Sequence, residues 1–227
     1  MSRRAAPNPR AVREASLDEL ERLGLPVPPP EFPLVWEPGD EVELRPTTEM
    51  EARAAVLHVV VARCFGMPTE AAMGWLLGSH LIDFVTPPEW QFVMGNRGDH
   101  RSFVLHFDAV FTLAWLLGLS RHLDPTAPPE GRLMQSLPDL PGGETFADWR
   151  SRSLVAPRDP TEVAVLLDLY YCLDWAFQEV EKAGQAPPGE LTSNAIGQRR
   201  WALEWALIFH GPYHDEPPDW EEVDLSV

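Results

Sequence analysis

Apolar side chains recur every three or four residues along most of the chain, which is the period of an α-helix. The pattern predicts helices over residues 48–65, 68–79, 87–94, 100–119, 160–183 and 192–209. No stretch alternates apolar and polar residues for long enough to predict a sustained strand. The sequence therefore predicts a mainly α fold, a single compact bundle of about six to eight helices.

Residues 1–41 are predicted to form an N-terminal arm, and residues 42–227 a helical domain with an irregular acidic tail. Prolines are frequent over residues 25–39. Such a run favours extended, polyproline-like chain. Because apolar residues are interleaved with these prolines, we expect the segment to be pinned to the surface.

The first residues of the arm contain one short helix signal. Residues 1–15 are rich in Arg, Ala and Pro, and we expect them to be frayed. Ser16 and Glu19 fit a capping box, which predicts a helix start at this point. The helix is expected to end near Leu23, with Gly24 as its stop.

The chain is strongly acidic. It carries 35 acidic against 18 basic residues, for a formal charge of −17. This charge repels phosphate backbones and anionic lipids, so neither nucleic acid nor a membrane surface is an expected partner. A basic protein partner is electrostatically allowed. An acidic surface that serves only solubility is the alternative.

The compartment is inferred from segments that the sequence lacks. No apolar core follows the N-terminal arginines, so we expect no signal peptide, and no apolar run is long enough to span a membrane. The expected location is therefore the cytoplasm. Cys64 and Cys172 lie in apolar helical patterns and are expected to be buried thiols. Lys182 is the single lysine, which together with abundant Ala and Pro suggests a GC-rich, bacterial genome.

Four stretches of the second half resemble a known bacterial family: Asp108–Gly118, Leu167–Ala176, Trp201–Trp205 and Asp219–Ser226. The family is catalogued as domain of unknown function 4272, and the resemblance runs from about Val42 to the C-terminus. It implies a small, mainly helical domain and brings no activity with it.

Three polar positions depart from what the resemblance implies. Cys172 stands where an arginine is usual, Asp174 where a histidine is usual, and Gln198 where a glutamate is usual. Any chemistry that relatives carry at these positions is therefore not implied for this chain.

Acidic residues inside apolar helices are the main candidates for chemistry: Asp108, Asp168, Asp174 and Glu204. A buried carboxylate must find a partner, take up a proton or face water. One hypothesis is that Asp108 and Asp174 converge with His106 on a pocket for general acid–base catalysis.

The structural interpretation provides each acid with a local partner. Arg200 precedes Glu204 by four residues, an ion-pair spacing on a helix. Tyr170 can donate to Asp174, and Thr112 lies one turn beyond Asp108. The predicted polar core or pocket is then formed by Asp168, Tyr170, Arg200 and Glu204. Asp168 and Asp174 lie on different helix faces and cannot form one pair.

Histidine spacing does not predict a metal or cofactor site. His210 and His214 would share a helix face, but Gly211-Pro212 between them excludes that helix. We therefore expect no metal and no cofactor.

The C-terminal tail is the predicted interaction segment: Asp215, Glu216, Asp219, Trp220, Glu221, Glu222 and Asp224. The leading functional hypothesis is a non-catalytic binding protein whose acidic tail engages a basic protein. The alternative is an enzyme that acts on a small cationic substrate through buried carboxylates. Trp220 and Val223 favour a tail that docks on the domain itself. Neither the ligand nor the oligomeric state follows from the sequence.

Overall fold

The structure is a computed structural model that describes residues 3–95, 98, 100–129, 133–153, 155–214 and 216–226. The mainly α prediction is confirmed. In the described residues the helices are α1 (Pro9–Arg22), α2 (Thr47–Cys64), α3 (Thr69–Gly78), α4 (Pro87–Gly95), α5 (His100–Leu116), α6 (Leu133–Ser136), α7 (Phe146–Arg152), α8 (Pro160–Lys182) and α9 (Ser193–Ala206). The strands are β1 (Arg4–Ala5), β2 (Glu41–Leu44) and β3 (Leu207–His210), and 3₁₀ turns cover Ile82–Phe84 and Trp220–Glu222.

The chain divides into two compact units. Unit 1 comprises Met1–Arg45, Asp124–Pro128 and Arg158–Val227, and unit 2 comprises Pro46–Leu123 and Pro129–Pro157. The boundary predicted after residue 41 falls inside β2, and the residues on both sides of it belong to unit 1.

In unit 1, α8 packs against α1, α9 and β2. Strand β2 lies between β1 and β3 in an antiparallel sheet, with Val42 opposite Phe209 and Leu44 opposite Leu207. Val42 and Leu44 are buried, as expected for alternate residues on the inner face of a short strand.

In unit 2, α2 packs against α5, α3 and α4. Every residue of α2 from Met50 to Val61 is buried, so this helix is enclosed on all sides. Val56, Leu76 and Phe92 belong to its apolar cluster with α3 and α4.

The N-terminal prediction was wrong at the helix start. Helix α1 begins at Pro9, where the Asn8 side chain accepts bonds from the main-chain N–H groups of the first turn. An Asn N-cap followed by Pro in the first turn starts the helix before the capping box predicted at Ser16. Ser16 is instead buried inside the helix, and Gly24 follows the helix end with a positive φ of 72°.

The Pro-rich segment is pinned down, as predicted. Trp36 is buried, and its Nε1 donates to the carbonyl of Pro7 at 2.9 Å. Phe32 stacks on Tyr171 of α8, with ring centroids 4.7 Å apart.

The helix predicted to reach residue 209 ends at Ala206. Leu207–His210 form β3, which the sequence pattern did not predict. Because β3 is short and its ladder partner is β2 near the other end of the chain, no local periodicity indicates the pairing.

Candidate functional site

The predicted polar core residues lie on α8 and α9, which pack together in unit 1. Asp168 is 1% exposed and accepts hydrogen bonds from Arg13 Nη2 at 2.8 Å and Ser16 Oγ at 2.7 Å. Arg13 also donates to the Pro33 carbonyl at 2.9 Å. Asp168 therefore has an ion-pair partner on α1 that also ties down the Pro-rich segment, which supports a structural role.

Arg200 is the hub of the second network. Its Nη1 lies 2.8 Å from Asp174 Oδ2, and its Nε lies 2.6 Å from Glu204 Oε1. The predicted Arg200–Glu204 pair is thus confirmed. Nη1 also donates to the Leu225 carbonyl at 3.1 Å, so one buried guanidinium joins two carboxylates and the tail main chain.

Tyr170 contacts an arginine of α9. Its hydroxyl accepts from Arg199 Nη1 at 3.4 Å, while Gln178 and Arg200 donate to Asp174. Arg199 is fully buried and also donates to the Asp124 carbonyl at 2.6 Å. The tyrosine is therefore in contact with a second buried arginine beside Arg200.

A cavity of about 440 Å³ opens beside Arg200 in unit 1. Apolar and aromatic groups line part of it, including Tyr171 and Phe209. The charged groups described in its lining are Arg200, Glu204, Glu216, Glu222 and Asp224. Since carboxylates outnumber guanidinium groups, the cavity favours a cationic ligand.

Glu204 is the carboxylate that extends from the Arg200 hub into the cavity wall. Burial raises the pKa of Glu204 above its usual range, and Arg200 offsets part of that rise. The side chain is 19% exposed. It can therefore take up a proton at a higher pH than a surface glutamate does.

His214 lines the same cavity and is held by a buried carboxylate. Its Nε2 lies 2.7 Å from Asp40 Oδ2, and its ring stacks on Phe209 with centroids 5.5 Å apart. A Cβ on Gly211 would lie 1.9 Å from Asp40 Oδ1, so this close approach requires glycine. A histidine oriented by a carboxylate is a recurrent arrangement for proton transfer.

Sequence reasoning missed the His214–Asp40 pair. The sequence pattern places His214 only in a spacing with His210, and Asp40 lies in no recognisable motif. The two residues are 174 positions apart, so no motif spacing could have indicated their contact.

The tail is attached to the body of unit 1, as its apolar residues suggested. Trp220 is buried and stacks on Trp201 at a centroid distance of 5.5 Å, while Trp201 Nε1 donates to the Trp220 carbonyl at 2.7 Å. Arg45 Nη2 also donates to the carbonyl of Pro218.

The acidic side chains of the tail are exposed. The exposed acids are Glu216, Asp219, Glu221, Glu222 and Asp224. Asp215, which was also predicted to belong to the interaction segment, lies outside the described residues.

His106 and Asp108 lie on α5 of unit 2, and Asp174 belongs to unit 1. His106 is buried with its ring centroid 5.7 Å from that of Phe103, and Asp108 is half-buried. Thr112 Oγ1 donates to the main-chain carbonyl of Asp108 at 3.0 Å. None of these three candidates is in the described lining of the cavity.

Two general properties concern the described part of the chain only. Within it, no three His, Cys, Asp or Glu side chains are grouped so as to hold a metal ion. None of its helices has both the length and the apolarity to cross a membrane.

Cys64 and Cys172 are free thiols, and burial raises their pKa values to about 11 and about 12.

Fold and site together define a mainly helical protein with an acidic cavity beside its anchored C-terminal tail. The chain belongs to the family described as domain of unknown function (DUF4272), whose model matches residues 12–223. The match begins well before Val42, where the sequence resemblance began, and so includes Arg13 on α1. No curated protein and no solved structure matches the chain.

Proposed function

We propose that this chain is a non-catalytic binding protein of the bacterial cytoplasm whose acidic C-terminal surface engages a basic protein. One observation carries the proposal: the main chain of the tail is held by Arg200 and Trp201, while its acidic residues are exposed. An anchored segment presents its charges in a fixed arrangement, so a partner need not order it on binding.

The cavity beside the tail supports a basic partner. Glu216, Glu222 and Asp224 belong to its lining, together with the aromatic ring of Tyr171. Its volume of about 440 Å³ is sufficient for one long side chain of a partner. Carboxylates receive the cationic end of an arginine or lysine, whereas the Tyr171 ring already carries the Arg200 guanidinium 4.5 Å from its centroid.

The charge of the tail can be tested with a matched set of variants. The test protein carries Glu216→Gln, Glu221→Gln and Glu222→Gln, and the control carries Glu14→Gln, Asp18→Asn and Glu31→Gln. All six positions are exposed in unit 1, so both proteins lose three surface charges and should fold normally.

The probe is a fluorescent peptide of about ten arginines, titrated by anisotropy at ~0.15 M salt, where distant charges are screened. We expect the test variant to bind about tenfold more weakly than the control. Equal affinity for the two variants would mean that only net charge matters, and the proposal would fail. Affinity capture from a bacterial lysate with the wild type and these two variants then identifies the basic partner.

The alternative is an enzyme that acts on a small cationic substrate in the same cavity. It is favoured because Glu204 and His214 line the same cavity. Burial raises the pKa of Glu204, and Asp40 holds the imidazole of His214. In this alternative Glu204 donates a proton and His214 accepts one. These two residues replace Asp108, Asp174 and His106 as the proposed catalytic residues.

Metabolites retained by the purified protein distinguish the two functions. If the chain is this enzyme, the purified wild type should retain a small amine or guanidine compound and convert it chemically. The Glu204→Gln variant should no longer retain the compound. Retention without conversion supports simple binding. Absence of any retained cation, together with peptide binding, excludes the alternative.

A further inference from the structure

A second and larger groove lies within unit 2. Its volume is about 1500 Å³, and it is formed by the C-terminal half of α2, the turn that follows, and residues 134–152. The proposed function makes no use of this groove.

The groove is mainly apolar, and parts of its apolar lining are open to solvent. Val61, Leu137 and Leu140 form buried parts of the lining. Phe65 and Met134, also in the lining, are 75% and 47% exposed. Large apolar side chains grouped at an open groove are typical of a binding surface, and methionine adapts its shape to different ligands.

The charges around the groove are mostly negative. Glu144 is paired with Arg152, whose Nη2 lies 2.8 Å from Glu144 Oε2. Asp139 and Asp148 are exposed members of the lining without an arginine or lysine partner within ion-pair distance in the described residues. His58, also in the lining, is buried and has a pKa lowered by burial to about 4, so it adds no positive charge near neutral pH.

We propose that this groove binds an amphipathic helix of a partner protein, with the apolar face of that helix on Phe65 and Met134 and its basic residues beside Asp139 and Asp148. The apolar groove matches the apolar face of a basic amphipathic helix, and its acidic border matches the basic face. The volume exceeds the ~300–1000 Å³ typical of small-molecule pockets.

Other occupants fit less well. A fatty acid would bring its carboxylate toward Asp139 and Asp148, which repel it. A second copy of this chain carries a formal charge of −17, so an already acidic surface would repel it. The proposal therefore commits to a basic helical segment.

The test uses a labelled model peptide of about 14 residues with leucine on one helical face and lysine on the other. A second peptide replaces every lysine with glutamate. Binding is measured by fluorescence anisotropy with the full-length chain. We expect the lysine peptide to bind at least about tenfold more tightly than the glutamate peptide.

Two groove variants and one control separate this site from the rest of the surface. Phe65→Ser combined with Met134→Ser should weaken the lysine peptide at least about tenfold, and Asp139→Asn with Asp148→Asn by about fivefold. Leu77→Ser is the control, because Leu77 is 53% exposed in the same unit but is not in the groove lining. It should leave the affinity within about twofold.

The tail variant Glu216→Gln/Glu221→Gln/Glu222→Gln distinguishes this proposal from the proposed function. It should weaken the lysine peptide less than the Phe65→Ser/Met134→Ser variant does, because the leucine face of the peptide needs the apolar groove. If that variant loses the peptide while the Phe65/Met134 variant retains it, the groove proposal is overturned. Equal weakening by Leu77→Ser and by the groove variants, with unchanged circular dichroism, would overturn it as well.

Discussion

Carboxylates embedded in the apolar helices of unit 1 are each held by an arginine. Asp168 pairs with Arg13, and Asp174 and Glu204 share Arg200. Taking such charges out of water is costly, so each partner is stabilising chiefly because the other is already buried. Removing one partner therefore lowers the free energy of unfolding by more than the intact pair contributes to it.

Arg200→Met should reduce the free energy of unfolding by about 3–5 kcal/mol, because it leaves two carboxylates without their shared cation. Urea unfolding followed by circular dichroism measures the change. Arg22→Met is the control, since the Arg22 side chain is 67% exposed and its pair with Glu19 lies on the surface. That variant should lose less than ~1 kcal/mol. Similar losses for the two variants would contradict a dominant role for the buried network.

His58 makes the stability depend on pH in unit 2. Its Nε2 lies 3.1 Å from the Pro138 carbonyl, and burial lowers its pKa from 6.5 to about 4. The unfolded chain therefore takes up this proton at a higher pH than the folded chain does. Stability is full above pH 6.5 and is lost as the pH falls toward 4.

The variant His58→Gln tests this dependence, because its amide can still donate to Pro138. Relative to this variant, the wild type should lose roughly 3 kcal/mol between pH 7 and pH 4. Urea unfolding at several pH values gives the difference. Parallel curves for the two proteins would show that His58 is not the group responsible.

At the scale of single elements, the ends of helices follow from short sequence signals. Helix α8 was predicted over residues 160–183 and runs from Pro160 to Lys182, with the Asp159 side chain as N-cap and Gly184 beyond the end at φ 72°. These signals act within one helical turn, so the sequence displays them directly. Strand β3 lacks such a signal, since its hydrogen bonds go to a distant strand.

Trp220 is the buried aromatic anchor of the tail, in addition to the hydrogen bonds that Arg45 and Arg200 donate to tail carbonyls. Trp220 is 5% exposed between Trp201 and Trp205, with ring centroids 5.5 and 5.3 Å away. Trp220→Ala should cost about 3 kcal/mol through lost burial and the cavity that remains. The neighbouring Glu221→Ala is exposed and should change stability by less than ~0.5 kcal/mol. Thermal and urea unfolding compare the two; an unaffected Trp220→Ala protein would mean that the tail is not anchored by this ring.

At the scale of the whole molecule, charge and aromatic content have separate roles in the tail. The tryptophan and main-chain carbonyls of the tail contact the rest of unit 1, whereas its described glutamates and aspartates are exposed. Composition alone predicted an acidic surface but could not decide whether the segment was free or attached. The distinction matters for the proposed function, because only an attached tail presents its carboxylates in a fixed pattern.

The sequence by itself determined the helical content, most helix limits and the Arg200–Glu204 pair. These features depend on hydrophobic periodicity and on contacts between residues no more than a turn apart. Only the tertiary structure decided the Arg13–Asp168 pair, the His214–Asp40 pair and the cavity beside the tail. The paired residues lie 155 and 174 positions apart, so their contact arises from the packing of whole elements, which no local pattern specifies.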